Sequence, residues 1–348
     1  MDSALVIGGT RFIGRHLVDD LLEHDYSVTL FTRGNSGNPF AEDERVDHVE
    51  GDRTNDTALE AAATTVDPDA VFDCVAYHPK DVRAATRIFA DCEAYVYVSS
   101  GAAYGREEIP KREGETALET CTAEQATDDS FETYGNRKAE GDRTVFAAAE
   151  NGVRAMAVRP PIVYGPHDHT ERLDWWIDRV NRFDRVVVPG DGTNLRHRVY
   201  VEDVASALRI VAERGAPGEA YNVGDRRLVT LAEMIELVAD SLDRVARSAT
   251  EKVSGKRSEP RMGDVELVRA GPRELAAGDI ELDDYPLYRT YPHVLSTAKL
   301  AALGWESTPL EAAMDRSVAD HLESDRDGSD HGPDRDAEER VLGILDTF

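Results

Sequence analysis

Lysine is scarce in this 348-residue chain: it occurs at Lys80, Lys111, Lys138, Lys252, Lys256 and Lys299, and the basic side is otherwise arginine. Cysteine is scarcer still. Cys74, Cys92 and Cys121 form no Cys-x-x-Cys pair and stand near no histidine cluster at ligand spacing. A disulfide framework and a cysteine-based metal module are thereby excluded, and a reduced, cytoplasmic setting is expected. No apolar run reaches the roughly eighteen residues that a membrane-spanning helix needs. The strand pattern starts within four residues of Met1, so no leader peptide is expected either.

Acid is what the chain has in excess: 68 Asp and Glu against 40 Lys and Arg, a formal net charge of -28. Such charge drives a compact fold apart by self-repulsion unless the medium screens it. Its spread along the whole sequence points to a halophilic surface rather than to an acid-seeking partner. No basic stripe offers phosphate neutralisation, so a nucleic-acid partner is not expected. The length allows one large domain with a smaller lobe.

Residues 3–9 read as a buried strand running into glycines, and 12–24 carry apolar residues at helical spacing. Strands at 26–32, 46–49, 70–76 and 94–100 alternate with helical stretches at 57–66 and 80–91. After a polar excursion over 105–130, a long helix is expected from Phe131 to 149, then a strand at 153–159 stopped by Pro160-Pro161. Strands separated by helices of this length imply an α/β fold with a doubly wound parallel sheet. The expected division is a dinucleotide-binding domain over 1–165, completed by segments near 185–225, and a smaller lobe over 166–320. The acidic, apolar-poor stretch 321–337 reads as a solvated connector before the short apolar ending that closes at Phe348.

Between the first strand and first helix stand Gly8, Gly9, Thr10, Arg11, Phe12, Ile13 and Gly14, where backbone amides and a helix N-terminus hold a pyrophosphate. Arg11 occupies the middle position usually taken by glycine and brings a guanidinium near the phosphates. The cofactor is therefore NAD or NADP. At the end of the second strand Thr32-Arg33-Gly34 offers no ribose-binding acid, and Arg33 suits a 2′-phosphate, which leans the choice to NADP. Asp52, beside Arg53 after the third strand, is placed either to accept from adenine or to cap the next helix.

Ser100 closes the strand YVYVSS, while Tyr134 and Lys138 lie four apart on one helix face. A phenol is a poor base at its ordinary pKa near ~10. A nearby ammonium and an oxidised nicotinamide both favour the phenolate. Ser100 then donates to the substrate oxygen while hydride leaves or reaches carbon.

These strings together resemble an extended short-chain dehydrogenase/reductase of the NAD-dependent epimerase/dehydratase family. GGTRFIG at 8–14, VSSGAAYG at 98–105, YGNRK at 134–138, RPPIVYGP at 159–166 and RHRVYVEDVA at 196–205 carry the likeness over about residues 3–315. The resemblance implies a Rossmann-type sheet with a substrate-binding C-terminal lobe and a catalytic triad of Ser100, Tyr134 and Lys138. It also implies that Pro161, Ile162 and Val163 border the nicotinamide and that Arg196 stands where relatives hold a nucleotide-sugar diphosphate. A homodimer through the helices at 80–91 and 131–149 is implied as well. His197 and Arg198 depart from the family pattern after Arg196. Gly101-Ala102 replaces the acids that a dehydratase needs after its Ser or Thr.

Tyr104 and His167 complete the expected substrate contacts, and Trp175 and Trp176 are read as pocket wall or core. The expected function is an oxidoreductase or epimerase, hence also an isomerase, acting on a sugar or nucleotide-sugar hydroxyl. The GGTRFIG form is also similar to a subgroup that includes chloroplast stem-loop RNA-binding proteins, so a non-catalytic or RNA-binding role is the alternative.

Overall fold

The computed structural model describes residues 1–252 and 265–347. Phe348 and the 253–264 part of the expected 166–320 lobe lie outside the described residues. The chain divides into two compact units: 1–163 with 198–226 and 295–307, and 164–197 with 227–294 and 308–348.

In the first unit β1 (Ser3–Ile7) leads into α1 (Phe12–Glu23), β2 (Ser27–Thr32) and β3 (Val46–Glu50). These are followed by α2 (Asp56–Val66), β4 (Ala70–Asp73), α3 (Pro79–Ile88), β5 (Ala94–Val98), α4 (Tyr134–Glu150) and β6 (Ala155–Arg159). A seventh strand, Ala220–Asn222, pairs with β6, and the order continues β5, β4, β1, β2, β3. Every pairing in this sheet is parallel. The doubly wound parallel sheet implied by the alternation of strand and helix, of the Rossmann type that the resemblance implies, is therefore present.

Strands β4, β5 and β6 are buried at every residue, and apart from the terminal Asp73 and Arg159 their sequences run apolar without alternating. That is what a parallel strand covered by helices on both faces requires. The edge strand β3 carries exposed Asp47, His48 and Glu50, charges that discourage further pairing. Strand order leaves β1 in opposite directions, toward β2 on one side and β4 on the other. The crevice beyond the strand ends at that reversal is where ligands of such sheets bind. No helix among the described residues is long and apolar enough to cross a membrane.

The helix expected from Phe131 starts at Tyr134 instead. Residues 128–133 are held as a turn because the Asp128 carboxylate accepts from the Ser130 amide at 3.2 Å and from Thr133 Oγ1 at 3.0 Å. Side-chain bonding of this kind competes with the helix for the same backbone.

The second unit is built on the helices Arg172–Arg182, Leu231–Lys252, Leu310–Glu323 and Arg335–Leu345, with a two-stranded parallel sheet of Arg185–Pro189 and Glu266–Ala270. Thr230 and Glu233 form the reciprocal cap before Leu231 that their spacing implies. Trp175 and Trp176 are both core: fully buried, perpendicular, with ring centroids 4.7 Å apart.

The stretch 321–337 is packed, unlike the solvated connector its composition suggests. His321 is buried at the end of one helix and donates to or accepts from Asp174 at 2.8 Å. Gly328 and Gly332 lie so close to Trp175 that a Cβ at either would clash with its backbone or indole. Asp334 then caps the helix Arg335–Leu345 by accepting from Ala337 N–H. The segment covers the core with glycine, not with apolar side chains, so hydropathy does not register it.

Glu338 on that last helix is fully buried, and its Oε2 accepts from Arg179 Nε at 2.9 Å. Burial pushes its carboxyl up to about 7, against the attraction of Arg179 and Arg335. A carboxyl raised above its unfolded value of 4.5 holds its proton in the fold. The associated stability is complete below pH 4.5 and is lost as pH rises through about 7. Melting temperature is therefore expected to fall between about pH 5 and about pH 8, and Glu338→Gln to flatten part of that slope, on the order of 3 kcal/mol. An unchanged slope in the variant refutes the assignment.

Candidate active site

The cradle at the end of β1 is made by glycine for steric reasons. Gly8 has φ +91°, a left-handed conformation, and a Cβ there would lie 2.5 Å from Val75 Cγ1. A Cβ on Gly14 would drive into the Gly8 carbonyl oxygen. The turn thus folds α1 tightly onto the strand end. Helix α1 starts with Arg11 at the capping position and no side-chain cap, which fits a phosphate at its amides. Arg11 is exposed, Thr10 and Ile13 are half-buried, and Phe12 is buried against His16.

Arg33 is exposed at the end of β2, where its charge helps lower the Asp52 carboxyl. The larger cause is bonding: Asp52 Oδ1 accepts from the Thr54 amide at 2.8 Å and from Thr54 Oγ1 at 2.7 Å. Asp52 therefore shapes the turn before α2, whose cap is Asn55. Arg53, expected at the cofactor, is turned inward. Its Nη2 donates to Asp73, its Nη1 is 3.5 Å from Asp81, and Tyr95 OH donates to the same Asp73 at 3.1 Å. A guanidinium with two buried carboxylates as partners stays with them. Glu50, which the sequence did not single out, faces Thr32 across the β2–β3 register, and its carboxylate packs 3.0 Å from a Cβ built on Gly34. An acid absent from the end of β2 itself thus stands at the end of the neighbouring strand.

Ser100, Tyr134 and Lys138 gather around the end of β5. Ser100 is buried at the start of a short 3-10 turn, Gly101–Ala103, and its Oγ accepts from the Ala102 amide at 3.1 Å. The first turn of α4 packs on that 3-10 turn so closely that a Cβ on Gly135 would strike the Ala102 carbonyl. Lys138, one turn further, donates to the Val98 carbonyl at 2.8 Å and to the Ala76 carbonyl at 2.9 Å. Its Nζ lies 5.7 Å from the centre of the Tyr134 ring, 4.8 Å from that of Tyr97 and 5.2 Å from that of Tyr77. Burial lowers the ammonium to about 8, with Asp73 and Asp142 acting to keep it charged.

Gly101 N–H donates to the Pro160 carbonyl at 2.8 Å, which sets Pro161 and the buried Ile162 and Val163 beside the Ser100 turn. Tyr104, expected at the substrate, faces inward: its hydroxyl donates to Asn222 Oδ1 and accepts from Arg159 Nη1, each at 2.9 Å. Arg159 also donates to Asp142 at 2.8 Å. This buried chain braces the sheet and leaves the Tyr104 hydroxyl engaged. Asp142 lies four residues beyond Lys138, so helical spacing was a signal for it. Nothing in the sequence marks Arg159 as its partner.

His167 and Arg196 belong to the second unit. His167 has a left-handed backbone, φ +64°, and its N–H donates to Asp320 Oδ2 at 3.0 Å. Arg196 Nη1 donates to the Tyr288 carbonyl at 3.1 Å.

Comparison with known proteins identifies the family and the fold. A chloroplast stem-loop binding protein of 41 kDa from Arabidopsis thaliana is 27% identical over 238 residues, 65% of this chain. The match spans only 59% of that relative's own length. A 2-alkyl-3-oxoalkanoate reductase from Stenotrophomonas maltophilia is 29% identical over 279 residues, covering 75% of this chain and 81% of the reductase. Among solved structures, dTDP-glucose 4,6-dehydratase from Bacillus anthracis in complex with NAD superposes with a TM-score of 0.69 at 19% identity, over 93% of this chain and 98% of that one. At that identity the likeness is one of fold. Residues 4–224 match the NAD dependent epimerase/dehydratase family, and this chain belongs to that family.

Proposed function

We propose that the chain is an NAD(P)-dependent oxidoreductase or epimerase acting on a sugar or nucleotide-sugar hydroxyl, with Tyr134 moving the proton and Ser100 donating to the substrate oxygen. The observation that carries it is the buried Lys138 ammonium beside the Tyr134 ring. Two of its three donors are spent on carbonyls, which fixes its position and leaves the third for a ribose hydroxyl. When bound, a nicotinamide dinucleotide supplies or accepts the hydride. Gly8, Gly14 and the start of α1 would hold its pyrophosphate, and Pro161, Ile162 and Val163 would border the nicotinamide. Gly101-Ala102 after Ser100 carries no acid, so oxidation, reduction or epimerisation is favoured over dehydration.

The lean to NADP drawn from Arg33 meets an opposing feature in Glu50. A carboxylate beside Gly34 accepts ribose hydroxyls and repels a 2′-phosphate. We place NAD first. Dissociation constants for both cofactors, measured in wild type, Arg33→Ala and Glu50→Gln, are expected to show tighter NAD binding. Glu50→Gln is expected to gain NADP affinity about tenfold, and Arg33→Ala to lose it selectively. Parallel changes for both cofactors end the 2′-position assignment.

The domain roles follow: the first unit binds the dinucleotide, and the second takes the substrate, with His167 and Arg196 as contacts. The protein is proposed to work in the cytoplasm as a homodimer through α3 and α4, which pack on each other. The name of the Arabidopsis relative supports the competing RNA-binding reading. Mass analysis of the small molecules released on denaturation separates the two. NAD(H) in the extract is expected. RNA affinity that falls with salt and survives Tyr134→Phe, with no dinucleotide bound, sinks the enzymatic reading.

A further inference from the structure

Beside Tyr134 stands a ring that the fold does not bury. Phe131 is 83% exposed, and it lies parallel to the Tyr134 ring, 6.1 Å between centres with 6° between planes. An apolar ring in water is unfavourable, and a loose loop would fold it away. Here the backbone of the turn is tied down. The Asp128 carboxylate ties Ser130 and Thr133, and Tyr134 N–H donates to the Phe131 carbonyl at 3.1 Å. Arg137, almost fully buried, donates to the Ser130 carbonyl at 2.8 Å and to the Tyr77 carbonyl at 3.3 Å. One guanidinium thus staples the segment after β4 to the turn that presents Phe131.

We propose that Phe131 is a specificity-determining residue: a platform on which the substrate's carbon framework lies by its apolar face while its carbinol reaches Tyr134. A molecule lying on this ring lies next to Tyr134, so the proposal rests on the proton-transfer role given to Tyr134 above. The chemistry recognised is a C–H or aryl face, available from a sugar ring or from an aryl ketone.

The two sources are told apart with UDP-glucose and acetophenone as probes, their affinities for the NAD-loaded full chain measured by saturation-transfer NMR. Wild type is expected to bind one of them, and Phe131→Ala to weaken it about fivefold, with Phe131→Tyr within about twofold of wild type. NAD affinity is expected to stay unchanged in both variants. Loss confined to UDP-glucose assigns a sugar face, and loss confined to acetophenone an aryl face. Equal affinities in Phe131→Ala, binding of neither probe by wild type, or weakened NAD binding overturns the proposal. Turnover that survives Tyr134→Phe sinks the catalytic reading instead, and leaves the affinity comparison standing.

Discussion

Tyr134→Phe is expected to lower turnover by about 10²–10⁴-fold while cofactor affinity stays within about twofold, because only the transferable proton is removed. The phenol is useful only if its charged form is favoured, and Lys138 is placed to favour it: its Nζ is 5.7 Å from the ring centre in a site where the ammonium is almost wholly desolvated. A charge interaction in such surroundings is worth several times its value in water. The pH dependence follows from the same residue. Burial lowers Lys138 to about 8, so the cation is present at neutral pH and is lost as pH rises through that value. The rate is expected to fall on the alkaline side there, as the phenol loses the partner that makes it acidic. Nicotinamide absorbance in single turnovers reads both effects, and equal rates for wild type and variant remove Tyr134 from the chemistry.

Gly14→Ala is the second large effect, and it acts through the backbone. The added methyl meets the Gly8 carbonyl oxygen and the Gly9 Cα, neither of which is the tip of a flexible side chain. Relief requires α1 to move away from β1, which opens the cradle. Overpacking of this kind costs about 1–3 kcal/mol of stability. Loss of the amide cradle is expected to weaken NAD binding by at least about a hundredfold, since several charge-assisted bonds depend on one turn. Calorimetric titration of the folded variant checks this. Wild-type affinity in a folded Gly14→Ala protein overturns the placement of the pyrophosphate.

Both positions were legible in the sequence because the features that mark them are local. A glycine-rich turn between a strand and a helix, and a tyrosine four residues before a lysine, declare themselves within one or two elements. The buried parallel strands were equally plain from their unbroken apolar runs. Arg53 was not legible, because Asp73 and Asp81, its partners, arrive from later elements. Glu50 was missed for a similar reason: its nearness to Gly34 depends on the β2–β3 register, not on any motif. Tyr104 sits in a string that marks the family, yet its hydroxyl is engaged by Asn222, 118 positions away. The start of α4 shifted from Phe131 to Tyr134 because one aspartate out-competed a helical turn, and that shift is what sets the Phe131 ring against Tyr134.

The packing of Gly328 and Gly332 on Trp175 bears on how the protein is made. Arg179, whose guanidinium lies over that indole at 4.6 Å, donates to the carbonyl of Pro333, 154 positions later. During synthesis the indole is therefore made long before the glycines that cover it. Closure of so long a loop is slow, and the interval is one in which nascent chains stick to each other or to chaperones. The last stretch of acidic sequence acts, in this light, as the stopper that ends that exposure.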